Sequence, residues 1–271
     1  MSALFEQYVI LTDLDGTVYD DDLNLHPKDL EAIRYFIENG GTFGVSTGRV
    51  MVSALPLIAK LPVNAPCVMC NGGVIMDTAT GEYKHKTIID PSAREALKLV
   101  MARFPNLRAA ILAGNEFYNA TEFNDGLKPF SADVTYTVPV DVNTFPDGWY
   151  KILMNIMDAP MEEVDAFCKT LDFPKLRFLA TTGYYYEILP AEVNKARGNR
   201  ILMDVMDWKD KKLVAIGDFF NDIEMIRDAD IGVAVAGAPD EVKAAADLVV
   251  CGVTEGAMAD LIGRLAAMDQ A

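Results

Sequence analysis

The sequence predicts an α/β protein whose core is a doubly wound, mostly parallel sheet, interrupted by an inserted α+β domain. Three observations predict it. Residues 8 to 82 alternate short apolar runs with amphipathic helical stretches, the pattern of a parallel sheet covered on both faces. The same alternation returns from about residue 189 to the end. Between them, residues 83 to 188 read as short strands in antiparallel pairs around a few helical segments. The core is therefore expected at 1–82 and 189–271, and the insertion at 83–188.

The first strand is YVILTD, residues 8–13. PKDLEAIRYFIENGG follows as a helix in which Leu30, Ile33 and Ile37 keep helical spacing. Pro27 suits its first turn, where a missing N–H costs nothing, and Gly40 and Gly41 suit its stop. TFGVST is the second strand, a helix disturbed by Pro56 begins near Val50, and CVMCN is the third strand. In the insertion, helix SAREALKLVMARF precedes strands around RAAILA and EFYNA. Strand YKILMNIM, helix MEEVDAFCKTL and strands LRFLATT and YYYEILP come later. The polar, proline-bearing stretch from Asn124 to Gly148 is expected to be the least regular part, and the tyrosines 184–186 are expected to pack on alternate residues. The core resumes with helix KARGNRILMDVMD, strand KLVAIGD, a helix from about Asn221 to Asp228 and strand IGVAVA. Helix PDEVKAAAD, strand LVVC and helix GAMADLIGRLAAM complete it.

Composition narrows the function. With 51% apolar residues over 271 positions, the chain can bury a large core. It carries no apolar run of about 18 residues that would span a bilayer, and MSALFEQY lacks the parts of a signal peptide, so a soluble cytoplasmic protein is expected. The net charge of −16, from 24 basic and 40 acidic residues, makes nucleic acid a poor partner and requires any anionic ligand to be held by local features. Of the four cysteines only Cys67 and Cys70 form a C-x-x-C, in an apolar segment with no second pair or nearby histidine, so strand packing is expected rather than redox or zinc chemistry.

Charge gathers where strands end. In YVILTDLDGT, Asp13 and Asp15 stand two residues apart at the carboxyl edge of the first strand, where open α/β sheets place ligands. Two such carboxylates are unfavourable together without a cation or a shared proton, and hard oxygen ligands favour Mg²⁺. The same D-x-D-G opens calcium loops and plain turns, but Val18 and Tyr19 interrupt the ligand series that a calcium loop needs. Asp20, Asp21 and Asp22 read as a solvated loop. VSTGR, residues 45–49, closes the second strand with groups that can bind phosphate oxygens, although taken alone STGR reads first as an ordinary N-cap and turn. AIGDFFND closes another strand with Asp218, Asn221 and Asp222, more polar side chains than capping needs.

In this order the motifs resemble the haloacid dehalogenase superfamily of phosphohydrolases, and within it the Cof-type, or class IIB, sugar-phosphate phosphatases. The resemblance rests on DLDGT at 13–17, STGR at 46–49, CNGG at 70–73, EILPAEVNK at 187–195, GDFFND at 217–222 and GVAVAGAPDEVKAAAD at 232–247. It implies a Rossmann-type core with an α/β cap inserted before Lys195. It further implies that Asp13 is a nucleophile forming an aspartyl-phosphate and that Asp15 is its general acid and base. Mg²⁺ would be held by Asp13, the backbone carbonyl of Asp15 and Asp218, with Asn221 and Asp222 supporting that shell or the substrate, so that Asp222 also counts among the metal-site carboxylates. Thr47, with Ser46 as the alternative, would hydrogen-bond the phosphoryl group beside Gly48, and Lys195 would neutralise charge. Arg49 and Asn71, each just past a strand end, are candidates for contact with the phosphate or leaving group, or for capping and turn roles.

The sequence departs from the family pattern at Ala196, where glycine is common, and at AVAGAP, where many relatives have a methionine-glycine-asparagine-alanine run. The second departure removes an asparagine near the site. The implied reaction is hydrolysis of a small phosphomonoester, a sugar phosphate foremost, by a monomer or small homo-oligomer that binds neither nucleic acid nor membrane. A phosphohexomutase of the same fold and a noncatalytic sensor of a phosphorylated metabolite are the alternatives.

Overall fold

The computed structural model describes residues 3–113, 116–120, 141–143, 148–156, 159–181 and 185–268. In chain order it contains β1 (Tyr8–Thr12), α1 (Pro27–Glu38), β2 (Thr42–Val45), α2 (Met51–Ile58), β3 (Cys67–Met69), β4 (Val74–Met76) and β5 (Tyr83–Lys86). Next come α3 (Ala93–Arg103), β6 (Arg108–Ala113), β7 (Glu116–Asn119), β8 (Trp149–Asn155), α4 (Met161–Cys168), β9 (Leu176–Ala180) and β10 (Tyr185–Pro190). The last group is α5 (Lys195–Val205), β11 (Lys212–Gly217), α6 (Ile223–Asp228), β12 (Ile231–Val235), α7 (Asp240–Lys243), β13 (Leu248–Val250) and α8 (Ala257–Met268). The chain divides into two compact units: Met1–Gly48, Ala54–His85 and Asn194–Ala271 form one, and Arg49–Ser53 with Lys86–Val193 the other.

The first unit is built on a parallel sheet of order β13-β12-β11-β1-β2. β1 sits between β2 and β11 with Thr12 opposite both Val45 and Ile216, so the three strands end nearly level. The chain runs outward one way from β1 into β2 and the other way through β11, β12 and β13. This is the switch point at which doubly wound sheets open a crevice at their strand ends. All five residues of β1 are buried, as a central strand covered on both faces requires.

The apolar face of α1 differs by one residue from the spacing read in the sequence. The buried positions are Asp29, Ile33 and Phe36, whereas Leu30 and Ile37 are half-buried. Two contacts set that rotation. Asp29 Oδ1 accepts the Ala259 N–H at 2.8 Å, satisfying a donor in the first turn of α8, and Phe36 packs on Phe5 at a ring separation of 4.9 Å. A second difference is the small sheet β3-β4-β5, of which only β3 is evident in the sequence. Cys67 and Cys70 are buried and form no disulfide, and burial pushes the Cys67 thiol up to about 12, as expected for packing residues.

The second unit has an antiparallel sheet of order β7-β6-β8-β10-β9. Ala109, Ile111, Ile152, Met154, Tyr186 and Ile188 alternate along its strands and join a core with Ala93, Leu97 and Val100 of α3 and Val164 and Cys168 of α4. Tyr186 is in that core, its hydroxyl donating to Asp165 Oδ1 at 2.9 Å, while Tyr184 and most of 124–148 lie outside the described residues. Among the described residues, no helix is long and apolar enough to cross a membrane.

Candidate active site

Asp13 is the first residue beyond β1, and its N–H continues the pairing by donating to Ile216 O at 2.9 Å. The residue is 7% exposed. The chain then turns at Gly16, whose φ of +72° is open to glycine and whose missing Cβ would overlap the Asp218 carboxylate. Thr17 Oγ1 donates to Asp218 Oδ1 at 3.2 Å, so the DLDGT loop closes on the residue that follows β11. Asp15 lies half-buried in this loop. Farther along, Asp20 Oδ1 accepts the N–H groups of Asp22 and Asn24 at 3.0 and 2.8 Å, and Asp21 and Asp22 are exposed, the solvated loop read from the sequence.

Lys195 opens α5, where Asn194 serves as N-cap by accepting the Arg197 N–H at 2.7 Å. Only 1% of Lys195 is exposed. Its Nζ reaches Asp13 Oδ1 at 2.7 Å and Asp222 Oδ1 at 2.5 Å. Asp222 is fully buried, and its Oδ2 accepts the N–H groups of Asp218 and Phe219 at 3.0 and 3.1 Å. Both oxygens of Asp222 are thus engaged in holding the lysine and folding the 218–222 loop.

The electrostatics follow from burial. Burial works to lower the Lys195 ammonium, but the Asp13 and Asp222 carboxylates outweigh it and hold its pKa up, so the lysine stays charged. Burial raises the Asp13 carboxyl; Lys195 opposes the shift, and Asp222, Asp218 and Asp15 add to it. Asp218 is pushed up to about 7, by burial first and then by the charge of Asp222, against the lowering pull of Lys195 and Thr17. One lysine among several carboxylates leaves excess negative charge, the condition that a cation relieves.

Carboxylate oxygens of Asp13, Asp218 and Asp222 lie within 4.8 Å of one another, an all-oxygen donor set that fits a hard divalent cation. Ser46 and Thr47, beyond β2, are buried; Thr47 N donates to Val68 O at 2.9 Å, and Ser46 Oγ finds no hydrogen-bond partner among the described residues. Gly48 lies against Asn71, whose Oδ1 accepts from Asn221 Nδ2 at 3.3 Å. The first unit therefore gathers Asp13, Asp15, Thr47, Gly48, Asn71, Lys195, Asp218, Asn221 and Asp222 at or just beyond its strand ends and at the start of α5. Arg49 belongs to the other unit. The contact between Asn71 and Asn221 has no counterpart in the sequence reading; its only signal is the Asn71-Gly72 dipeptide, which marks a left-handed turn. The supporting role expected of Asp222 takes the form of its hydrogen bonds to the N–H groups of Asp218 and Phe219.

Comparison with known proteins shows the family. The model of the haloacid dehalogenase-like hydrolase family matches residues 10–262. A phosphoglycolate phosphatase of Methanopyrus kandleri is 24% identical over 89% of this chain and 90% of its own length. The pyridoxal phosphate phosphatase YbhA of Escherichia coli is 24% identical over 94% and 97%. The solved structure of a HAD subclass IIB sugar phosphatase, BT4131, superposes with a TM-score of 0.79 at 19% identity, covering 94% of this chain and 98% of its own. The chain belongs to the haloacid dehalogenase-like hydrolase family.

Proposed function

We propose that this chain is a Mg²⁺-dependent phosphatase that hydrolyses small phosphomonoesters, sugar phosphates foremost, through an aspartyl-phosphate on Asp13. The observation that carries the reading is the buried Lys195 Nζ, 2.7 Å from Asp13 Oδ1. It fixes one oxygen of a carboxylate that stands just beyond the carboxyl end of β1. Phosphoryl transfer asks chiefly for such positioning and for charge neutralisation.

In the first step an Asp13 oxygen attacks phosphorus, the bond from phosphorus to the ester oxygen breaks, and Asp15 delivers a proton to the departing alcohol. In the second, Asp15 takes a proton from water as that water attacks phosphorus, releasing phosphate and restoring Asp13. The Thr47 hydroxyl hydrogen-bonds the phosphoryl oxygens, and Lys195 offsets their charge. Asp13, Asp218 and the backbone carbonyl of Asp15 would hold Mg²⁺, which when bound neutralises carboxylate and phosphoryl charge. Asp222 serves that set by holding Lys195 and the loop of Asp218.

Sugar phosphates are favoured because the structural relative is named a sugar phosphatase, and the two sequence relatives are named for other small phosphomonoesters. The test is phosphate release from a panel of esters with and without Mg²⁺. Metal-dependent turnover strongest on sugar phosphates is expected. No turnover of any ester by the folded, metal-loaded protein would overturn the proposal.

A further inference from the structure

We infer that the turn Cys70-Asn71-Gly72 is a positioning element of the active site, with Asn71 acting through Thr47 and Asn221 rather than on the substrate. The inference rests on the phosphatase reading above. The turn joins β3 to β4 and has three successive residues at positive φ: Cys70 at 55°, Asn71 at 54° and Gly72 at 101°. L residues enter the left-handed region reluctantly and usually singly, so two non-glycine residues in a row there require the surroundings to hold them.

Those surroundings are the active-site loops. Asn71 N donates to Thr47 O at 3.1 Å, and a Cβ on Gly48 would stand 2.8 Å from Asn71 Oδ1, so the backbone after β2 lies directly against the asparagine amide. The same Oδ1 accepts from Asn221 Nδ2 at 3.3 Å, one residue before Asp222. On the far side, a Cβ on Gly72 would run into the carbonyl of Asn194, the N-cap of the helix that begins with Lys195. One turn therefore touches the loop bearing Thr47, the loop bearing Asp218 and Asp222, and the start of α5.

The chemistry needs these three loops in a fixed relation, and none of them is adjacent to another in sequence. Asparagine suits the position because it tolerates left-handed backbone better than other non-glycine residues and offers a short acceptor. At 2% exposure, its amide is aimed at neighbouring loops rather than at solvent. An ordinary hairpin turn would need none of the contacts to Thr47, Gly48 and Asn221.

The variant Asn71→Gly separates side chain from backbone, because glycine adopts the same φ without strain and keeps the N–H to Thr47. It is compared with Asn221→Ala and the double variant across several esters. The expected result is a kcat lower by on the order of ten- to a hundredfold with KM little changed. The factor should be the same for every ester, and the double variant no slower than the slower single. Equal kcat, or a loss that changes with the leaving group and multiplies with that of Asn221→Ala, would overturn the inference. Hydrogen exchange supplies an arm independent of turnover, with faster exchange expected for the amides of Thr47 and residues 218–222 in Asn71→Gly and no change in β12. If the parent hydrolyses no ester, the phosphatase reading falls alone and this arm decides; unchanged exchange at those amides refutes the positioning role.

Discussion

The Lys195 ammonium lies 2.7 Å from the Asp13 carboxylate, with the lysine side chain wholly buried. A second contact, at 2.5 Å, ties it to Asp222, which is as deeply buried. Such an arrangement stands only while each charge compensates the other, because an isolated ion in this setting would change protonation or unfold its surroundings.

Removing the lysine charge should therefore cost both stability and activity. Lys195→Met is expected to lower stability by about 3–5 kcal/mol, since it leaves Asp13 and Asp222 buried without their partner. Ester turnover should fall by on the order of a hundred- to a thousandfold. Denaturant unfolding and a steady-state assay measure the two. A variant as stable and as active as the parent would mean the lysine is neither a structural counterion nor part of the reaction.

The raised Asp218 carboxyl makes metal binding pH-dependent. An unfolded aspartate titrates near ~3.9, whereas burial and the neighbouring Asp222 charge put Asp218 at about 7. A carboxyl with a raised folded pKa favours the folded state fully below the unfolded value and loses that contribution as pH rises through the folded one. Metal-free protein should thus lose stability from this group between about pH 4 and 7, and Mg²⁺, which binds the deprotonated form, should restore it. The rise in Tm on adding Mg²⁺ is expected to be larger at about pH 8 than at about pH 5. An equal rise at both would show that Asp218 does not titrate in this window.

A second buried ion pair tests the insertion by itself. Lys151 on β8 meets Glu187 on β10 at 2.5 Å, with side chains 3% and 5% exposed. Leu153 is the cross-strand partner of Glu187, so the pair is a diagonal one. Lys151→Met or Glu187→Leu alone is expected to destabilise by about 3–5 kcal/mol, and the double variant by less than either, because it removes the uncompensated charge. Urea unfolding of the three variants decides, and additive losses would contradict the pairing.

Much of the fold and site was legible because strand ends are marked twice, by loss of apolar character and by arrival of charge. Asp13 after YVILT and Asp218 after KLVAIG carry both marks, and the level ends of β1, β2 and β11 bring the residues that follow them together. What was not legible depends on partners distant in sequence. The face of α1 turns inward at Asp29 because a donor in α8 awaits it, 230 residues away. β4 and β5 are short, and half-exposed YKHK lacks the apolar alternation that identifies a strand. Asn71 signals only a turn in sequence; its contacts to Thr47 and Asn221 arise from the meeting of three loops.

The central claim is that Asp13 takes up the phosphoryl group, and the most direct measurement is to trap it there. Asp15→Asn removes the base of the second step while an aryl phosphate, whose leaving group needs no acid, still permits the first. Acid quench of the Mg²⁺-loaded variant with that ester, followed by peptide mapping, should find one phosphoryl group on the peptide of Asp13 and none when Asp13→Asn is added. A phosphoryl group on another residue, or an Asp13→Asn protein that turns over ester as fast as the parent, would contradict the account.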